Sequence, residues 1–270
     1  MATTDAPAPP ATPADGHPAG RTLAWRGWVV PALLLAALEA YARTVAAGSD
    51  AIAAPSAAVA AFVRAAADGS LWAATGFTLR AAASGLATGA LLAVPLGILL
   101  GLSRRAAASS FLTVELLRPI PSVALIPIAM LVFGFGLRME LAIVAFATFW
   151  PILVLTQAAV RQVEPRLLEV SAALQLSPWQ RAWSIVLPAV VPRLFVALRQ
   201  GVAIALVVAV TVEVGANPNG MGYALMIAQQ SLDPAGMLAW LLWVGVLGYA
   251  INALALRLQR AVARRMGEAA

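Results

Sequence analysis

The chain has 270 residues, of which 61% are hydrophobic and 11% charged, with a net charge of +6 and a mean hydropathy of +0.86. Soluble domains carry about 25% charged residues, so a single water-soluble globule is excluded and a helical membrane protein is favoured. The chain has no cysteine, no lysine and one histidine, His17, which excludes thiolate chemistry, histidine chemistry within the membrane and a P-loop ATPase site.

The N-terminal residues 1–26 contain a proline-rich stretch and are expected to form a disordered cytoplasmic tail. The apolar run at 28–47 is interpreted as a retained first span. A cleaved signal peptide is the alternative, and it is disfavoured because Glu39 and Arg43 would lie in its apolar core. These two residues are four apart, in the order that favours an ion pair.

Five further apolar runs are each long enough, at roughly 20 residues, to cross a bilayer. They lie near residues 73–102, 111–133, 139–160, 189–212 and 236–257. The predicted fold is therefore an all-α integral membrane protein with six transmembrane helices, in a single domain over residues 27–265. The third run contains Pro119, Pro121 and Pro127, which are expected to bend it.

The arginines predict the orientation. Six spans place both termini on one side of the membrane. Eleven arginines fall in segments on that side, and only Arg64 and Arg138 fall in segments on the other. The positive-inside rule therefore places both termini in the cytoplasm. Because the arginines are explained by topology, the positive charge does not indicate a nucleic-acid partner.

Two spans carry a small residue at every fourth position, a spacing that lets helix backbones approach closely. In the second span these are Ala81, Gly85, Gly89, Ala93, Gly97 and Gly101, and in the fifth they are Ala197, Gly201, Ala205 and Ala209, followed in step by Glu213. Packing within one bundle is the main interpretation. A subunit contact, or a translocation path or gate with Gly201, Ala205 and Glu213, remains open, as does an interfacial carboxylate in water at Glu213.

The segment between the fourth and fifth spans, residues 161–187, is predicted to form two short amphipathic helices joined by a turn at Gln175 and Leu176. The first covers about 165–174. The second begins with a capping box, in which Ser177 is the N-cap and Gln180 the third helical residue. The second helix places Trp179, Ala182, Trp183 and Val186 on one apolar stripe. The tryptophans contact either a partner surface or the lipid interface, and both alternatives stay open.

This segment resembles the cytoplasmic signature loop of permease subunits from ATP-binding-cassette (ABC) importers. That loop reads Glu-Ala-Ala, three residues, Gly, nine residues and Ile-x-Leu-Pro. The matching positions here are Glu169, Val170, Ser171, Gln175, Ile185, Leu187 and Pro188, with Gln175 in the glycine place. The resemblance extends from about residue 55 to the end of the last span. It includes the run 117–122 and the positions Glu213, Gly220, Gly222 and Tyr223, and it is closest to the subgroup that imports nitrate, sulfonates, taurine and related small solutes.

The resemblance implies a type I ABC importer permease, a transport subunit without catalysis of its own, in the bacterial inner membrane. Its partners would be two copies of a separate ATPase that uses the ATP, a second permease copy in a homodimer, an extracytoplasmic solute-binding protein and membrane lipid. No cofactor or metal is expected on this chain. The implied ATPase contacts are Glu169, Val170, Ser171, Leu174, Gln175, Ser177, Trp179, Trp183, Ile185, Leu187 and Pro188.

Other functions are weaker alternatives. An ion-gradient-driven secondary transporter would need buried acids within its spans. An intramembrane enzyme would need a paired nucleophile and base or a set of metal ligands, which this composition does not supply.

Overall fold

A computed structural model of the protein describes residues 26–45 and 52–265. Nearly all of the expected tail at 1–26, and the end of the first expected span, lie outside the described residues. Within the described ranges the chain is helical and contains no strand. The helices are α1 (Arg26–Thr44), α2 (Pro55–Ala67), α3 (Ser70–Leu102), α4 (Arg104–Leu117), α5 (Ile126–Phe133), α6 (Leu137–Arg161), α7 (Pro165–Ala173), α8 (Pro178–Arg181), α9 (Leu187–Ala216), α10 (Gly220–Gln230) and α11 (Pro234–Arg265).

The helix α1 belongs to a compact unit that ends at residue 47, and the remaining helices belong to a second unit, Gly48–Ala270. Within α1, the Arg43 Nε donates a hydrogen bond to Glu39 Oε1. The ion pair predicted from their spacing is therefore confirmed. The single domain expected over residues 27–265 stays a prediction.

The expected count of six spans is not exact. Among the described residues, four helices are long and apolar enough to cross a membrane: α3, α6, the continuous helix Pro178–Ala216 and α11. The helix α1 is not among them, and the expected first span at 28–47 extends beyond the described residues. The expected third span at 111–133 is two helices, Arg104–Leu117 and Ser122–Phe133, bent by 82°. Pro119 and Pro121 lie in that break, where proline cannot donate a helical hydrogen bond.

The closest helix contact in the core is between α3 and α6, and the small residues of α3 make it. Gly85, Gly89, Gly97 and Gly101 face α6 so closely that an added Cβ would overlap its side chains. At Gly97 that atom would lie 2.7 Å from the Thr156 Cβ and 2.9 Å from the Leu153 carbonyl oxygen. The interpretation of this stripe as packing within one bundle is confirmed.

The small residues of α9 also lie in the core. Ala197, Gly201, Ala205 and Ala209 are buried. A Cβ at Gly201 would lie 2.8 Å from Leu86 and 3.0 Å from Ile152. The stripe therefore packs α9 against α3 and α6 of the same chain, and a path role for Gly201 and Ala205 stays a prediction.

The helices α2 and α11 pack beside the start of α3 through aromatic side chains. The Trp243 Nε1 donates to Thr75 Oγ1 at 2.8 Å. The Trp243 ring contacts the rings of Phe62 and Trp72, with centroids 5.4 and 6.1 Å apart. These contacts hold α2 and α11 to the core formed by α3, α6 and α9.

Candidate functional site

The segment 165–187, called the coupling segment from here on, begins with α7. Pro165 occupies the first turn of α7, where its missing N–H costs no hydrogen bond. The helix ends in two closing hydrogen bonds. The Gln175 N–H donates to the Ala172 carbonyl and the Leu176 N–H donates to the Ser171 carbonyl, each at 3.0 Å. This pair of bonds is a Schellman motif, which turns the chain sharply at the end of a helix.

Gln175 holds the left-handed position of that motif, with φ of 51°. A left-handed conformation costs a residue other than glycine about 1–2 kcal/mol, because its Cβ approaches the following carbonyl. The turn therefore has the geometry of a glycine turn, although the residue is glutamine. An alternative turn geometry at this position is excluded.

The second predicted helix begins as expected at Ser177. The Ser177 Oγ accepts from the Gln180 N–H at 3.2 Å, and the Gln180 Oε1 accepts from the Ser177 N–H at 2.9 Å. The predicted capping box is confirmed.

The second helix is not a separate short element, which corrects the expectation of two short helices. It passes through a π-helical turn, Ala182–Val186, into α9, so that one helix of 39 residues runs from Pro178 to Ala216. The π turn lies directly before Pro188, which cannot donate to the carbonyl of Ser184 in the α-helical pattern. The end of the coupling segment therefore lies in the same continuous helix as a candidate membrane span.

The coupling segment exposes several large apolar side chains. Leu174 is 64% exposed, Trp179 71% and Trp183 54%. The two tryptophan rings pack edge to face with centroids 5.6 Å apart. Glu169, on α7 of the same segment, is exposed. Exposed large apolar side chains that pack on one another, as these two tryptophans do, are typical of a contact with a partner or with a membrane.

Other predicted contact residues turn inward. Ser171 is fully buried, and Leu187 is partly buried against a core cluster that contains Val186 and Val190. These residues support the coupling segment from beneath. The Arg193 guanidinium adds a link that the sequence analysis did not identify. It donates to the Ala159 and Gln162 carbonyls at 3.5 and 3.3 Å, which caps the end of α6.

The remaining predicted contacts, Val170, Ile185 and Pro188, are exposed or half-buried along the same segment. Their contact with an ATPase stays a prediction, as it does for the rest of that set.

Glu213 lies at the far end of α9, where it joins Thr78, Glu140 and Asn217 in what we call the buried acid cluster. All four residues have at most 2% of their surface exposed. The Asn217 Nδ2 donates to Glu140 Oε2, and the Gly222 N–H donates to Glu213 Oε2 at 2.9 Å. Glu213 therefore does not lie in water at the interface, which contradicts that alternative for this chain.

The two carboxyl groups of the buried acid cluster lie within hydrogen-bonding reach of each other. Glu140 Oε1 and Glu213 Oε1 are both buried, and no donor among the described residues reaches them. If one of the two carboxyl groups is protonated, its O–H can donate to an oxygen of the other, since a neutral carboxyl group carries one donor.

Two glycines allow the N-terminus of α10 to reach Glu213. Gly220 has φ of 91°, and a Cβ there would overlap the Glu213 carboxyl group. A Cβ at Gly222 would overlap the Val210 carbonyl oxygen. The start of a helix attracts a carboxylate, and the start of α10 can approach Glu213 only if the residues there have no Cβ. The overlaps therefore explain why Gly220 and Gly222 follow Glu213 in the sequence.

Glu140 and Asn217 were not predicted as site residues. The available signal was Glu140 itself, an acid inside a predicted span. A cavity of about 430 Å³ adjoins the cluster and is lined by Phe135, Glu213, Asn217 and Tyr223 among others. A path or gate role for Glu213 stays a prediction.

Comparisons with known proteins identify relatives over about two thirds of the chain. Residues 93–268 match the family model described as the binding-protein-dependent transport system inner membrane component. The chain is 30% identical over 167 residues to SsuC of Bacillus subtilis, named as an aliphatic sulfonates transport permease protein, a match that spans 62% of this chain and 60% of that protein. It is 26% identical over 201 residues to the taurine transport system permease protein TauC of Escherichia coli, across 74% of this chain and 73% of that protein.

The fold is similar to that of solved transporters. A chain of the MetNI methionine ABC transporter in inward-facing conformations aligns with a TM-score of 0.60 and 22% identity, over 68% of this chain and 92% of that chain. The expected all-α fold of the ABC importer permease type is confirmed.

Proposed function

The chain belongs to the family of binding-protein-dependent transport system inner membrane components, and from this premise we propose that it is the membrane-spanning permease subunit of an ATP-driven importer. The chain has no lysine, which a P-loop requires, so a separate ABC ATPase supplies the energy. The permease binds no cofactor of its own in this proposal and catalyses no reaction.

The coupling segment is the observation that carries the proposal. It combines an exposed apolar surface with a direct helical connection into a span, and both are needed to transmit force. The helix of 39 residues is about 58 Å long, at about 1.5 Å per residue, so a partner that moves its exposed start tilts its membrane-spanning part. Trp179 and Trp183 supply apolar contact area, and Glu169 supplies an exposed charge on the same segment.

The proposed mechanism depends on this long helix, which connects the coupling segment to a membrane span. Two ATPase subunits that close on ATP would draw together the coupling segments of two permease copies. Rigid-body motion of packed helices would then switch the path between outward and inward access. We propose a homodimer in a bacterial inner membrane, with both termini in the cytoplasm because of the arginine distribution. An extracytoplasmic binding protein would deliver the solute.

The solute is proposed to be a small sulfonate or a similar compound. Two relatives are named for the transport of aliphatic sulfonates and of taurine, respectively. In this arrangement the binding protein carries most of the selectivity.

An ion-gradient-driven transporter is the second candidate, and the buried acid cluster favours it. Paired acids within spans are typical of proton relays. Under this alternative, uptake would continue without an ATPase and would stop when the proton gradient is collapsed.

A reconstitution experiment separates the two candidates. The chain is purified with its copurifying ATPase and reconstituted in liposomes with the binding protein, and taurine uptake is measured with and without ATP. We expect uptake that requires ATP and tolerates a protonophore. Uptake without ATP would reject the proposal.

The same system tests Glu169. Glu169→Ala should leave membrane insertion intact and lower solute-stimulated ATP hydrolysis by several-fold. Glu164→Ala is the matched control, because Glu164 is exposed just before α7 and its side chain makes no cap hydrogen bond. Unchanged coupling in Glu169→Ala, or an equal loss in the control, would reject the docking role.

A further inference from the structure

A cavity of about 860 Å³ opens at the end of the bundle that carries the coupling segment. It lies between the end of α3, the length of α4 and the end of α6, and Arg181 of the coupling segment completes its wall. Its charged lining consists of Arg104, Arg118, Arg161, Arg181 and Glu115. Four arginines and one glutamate give this lining a net formal charge of +3.

No acidic side chain in the part of the chain that the structure describes forms an ion pair with an arginine of this cavity. Within residues 26–45 and 52–265 the only ion pair is Arg43 with Glu39, so none of the four guanidinium groups is paired. Glu115 lines the same cavity without reaching any of them within 4.0 Å. The Nε of Arg181 is buried and has no acceptor among the described residues. Like charges gathered in one cavity repel each other, and a bound anion removes that repulsion.

The rest of the lining also suits an anion. Ala107 and Ala108, near the start of α4, border the cavity, and the positive end of a helix dipole lies at a helix start. Ser110 and Gln157 add polar side chains that donate hydrogen bonds. Guanidinium groups present two parallel N–H donors, a geometry that matches the oxygens of phosphate, sulfate and sulfonate groups.

We propose that this cavity is a binding site for an oxyanion group, held by Arg104, Arg118, Arg161 and Arg181. The group belongs either to a small soluble anion or to the phosphate of an anionic phospholipid. The four arginines come from α4, α6 and the coupling segment, so a bound anion links the coupling segment to the helices beside it. The site goes beyond the proposed transport function and does not depend on it, because it is assayed on the permease alone.

The test uses the full chain purified in detergent micelles and in nanodiscs. In micelles, binding of sulfate and of methanesulfonate is measured by calorimetry at constant ionic strength against chloride. In nanodiscs of phosphatidylcholine with phosphatidylglycerol, native mass spectrometry counts the phosphatidylglycerol molecules retained by the chain. The variants are Arg104→Gln and Arg161→Gln. Arg105→Gln is the matched control, because Arg105 is the exposed neighbour of Arg104 on the same helix and does not line the cavity.

The soluble-anion arm predicts saturable binding of sulfate or methanesulfonate that weakens about tenfold in each of the two variants, since each loses a charge-assisted hydrogen bond. The lipid arm predicts that small anions do not bind and that retained phosphatidylglycerol is lost in the same two variants. In both arms Arg105→Gln behaves as the wild type.

Two results would overturn the proposal. One is a wild-type chain that binds neither small anions nor phosphatidylglycerol, a result that does not depend on whether the variants fold. The other is an equal loss in Arg105→Gln, which would show that binding depends on overall surface charge.

Discussion

Replacing Gln175 by glycine removes the one backbone strain in the coupling segment. Gln175 has φ of 51° at the left-handed position of the Schellman motif. This conformation costs a residue with a Cβ about 1–2 kcal/mol. Glycine avoids that cost but loses about 0.5–1 kcal/mol more conformational freedom on folding. The net expectation for Gln175→Gly is a local stabilisation of up to about 1.5 kcal/mol, a shift of up to about tenfold in the opening equilibrium of the turn.

Hydrogen exchange measures this opening directly. The Leu176 N–H donates to the Ser171 carbonyl at 3.0 Å, so its protection reports whether the turn is closed. In Gln175→Gly this amide should become more protected, and solute-stimulated ATP hydrolysis should be retained.

Gln175→Ala is the control, because it removes the glutamine side chain and keeps the strained backbone. It should show no gain in Leu176 protection. Lower protection in Gln175→Gly would refute the strain argument. A loss of coupling in both variants would show instead that the glutamine side chain makes its own contact with the ATPase.

The remaining predictions concern the core and the buried acid cluster. Gly97→Ala should lower the melting temperature by several degrees, because the new Cβ would lie 2.7 Å from the Thr156 Cβ. In the control Gly76→Ala the new Cβ meets nothing within 4 Å, so stability should be unchanged or higher. Equal melting temperatures of the two variants would contradict the packing of α3 against α6. Gly220→Ala should destabilise by more than about 2 kcal/mol in a thermal or denaturant melt, through its φ of 91° and its overlap with Glu213. Glu213→Gln should assemble and melt like the wild type but change the uptake rate, and wild-type uptake would exclude a path or gate role.

Local features of the coupling segment were predictable from the sequence. The capping box spans only Ser177 to Gln180, and its residue types identify it without any knowledge of the rest of the fold. The left-handed turn at Gln175 was predictable because the signature loop places glycine there. The pairing of Glu39 with Arg43 depends on helical spacing alone.

The features that were missed depend on contacts between distant residues or on the direction of the chain. Glu140 and Asn217 are 77 positions apart, and no local spacing indicates that they meet. A bend at Pro119 and Pro121 was expected, but its angle of 82° between α4 and α5 was not, because a sum of hydropathy over 111–133 contains no information about direction. The continuity of α8 with α9 was missed because a proline such as Pro188 indicates a helix boundary. In this chain a π turn before Pro188 accommodates the missing N–H, and the helix continues.

A site-directed cross-linking measurement tests the central claim most directly. The chain has no cysteine, so Leu174→Cys places a single thiol on the exposed surface of the coupling segment. Ser231→Cys places one at an exposed position between α10 and α11 as the control. With a photoreactive group on that thiol, Leu174→Cys should label the copurified ATPase in a yield that changes with ATP, and Ser231→Cys should not. Labelling of lipid alone from position 174, or equal labelling of the ATPase from both positions, would contradict the account.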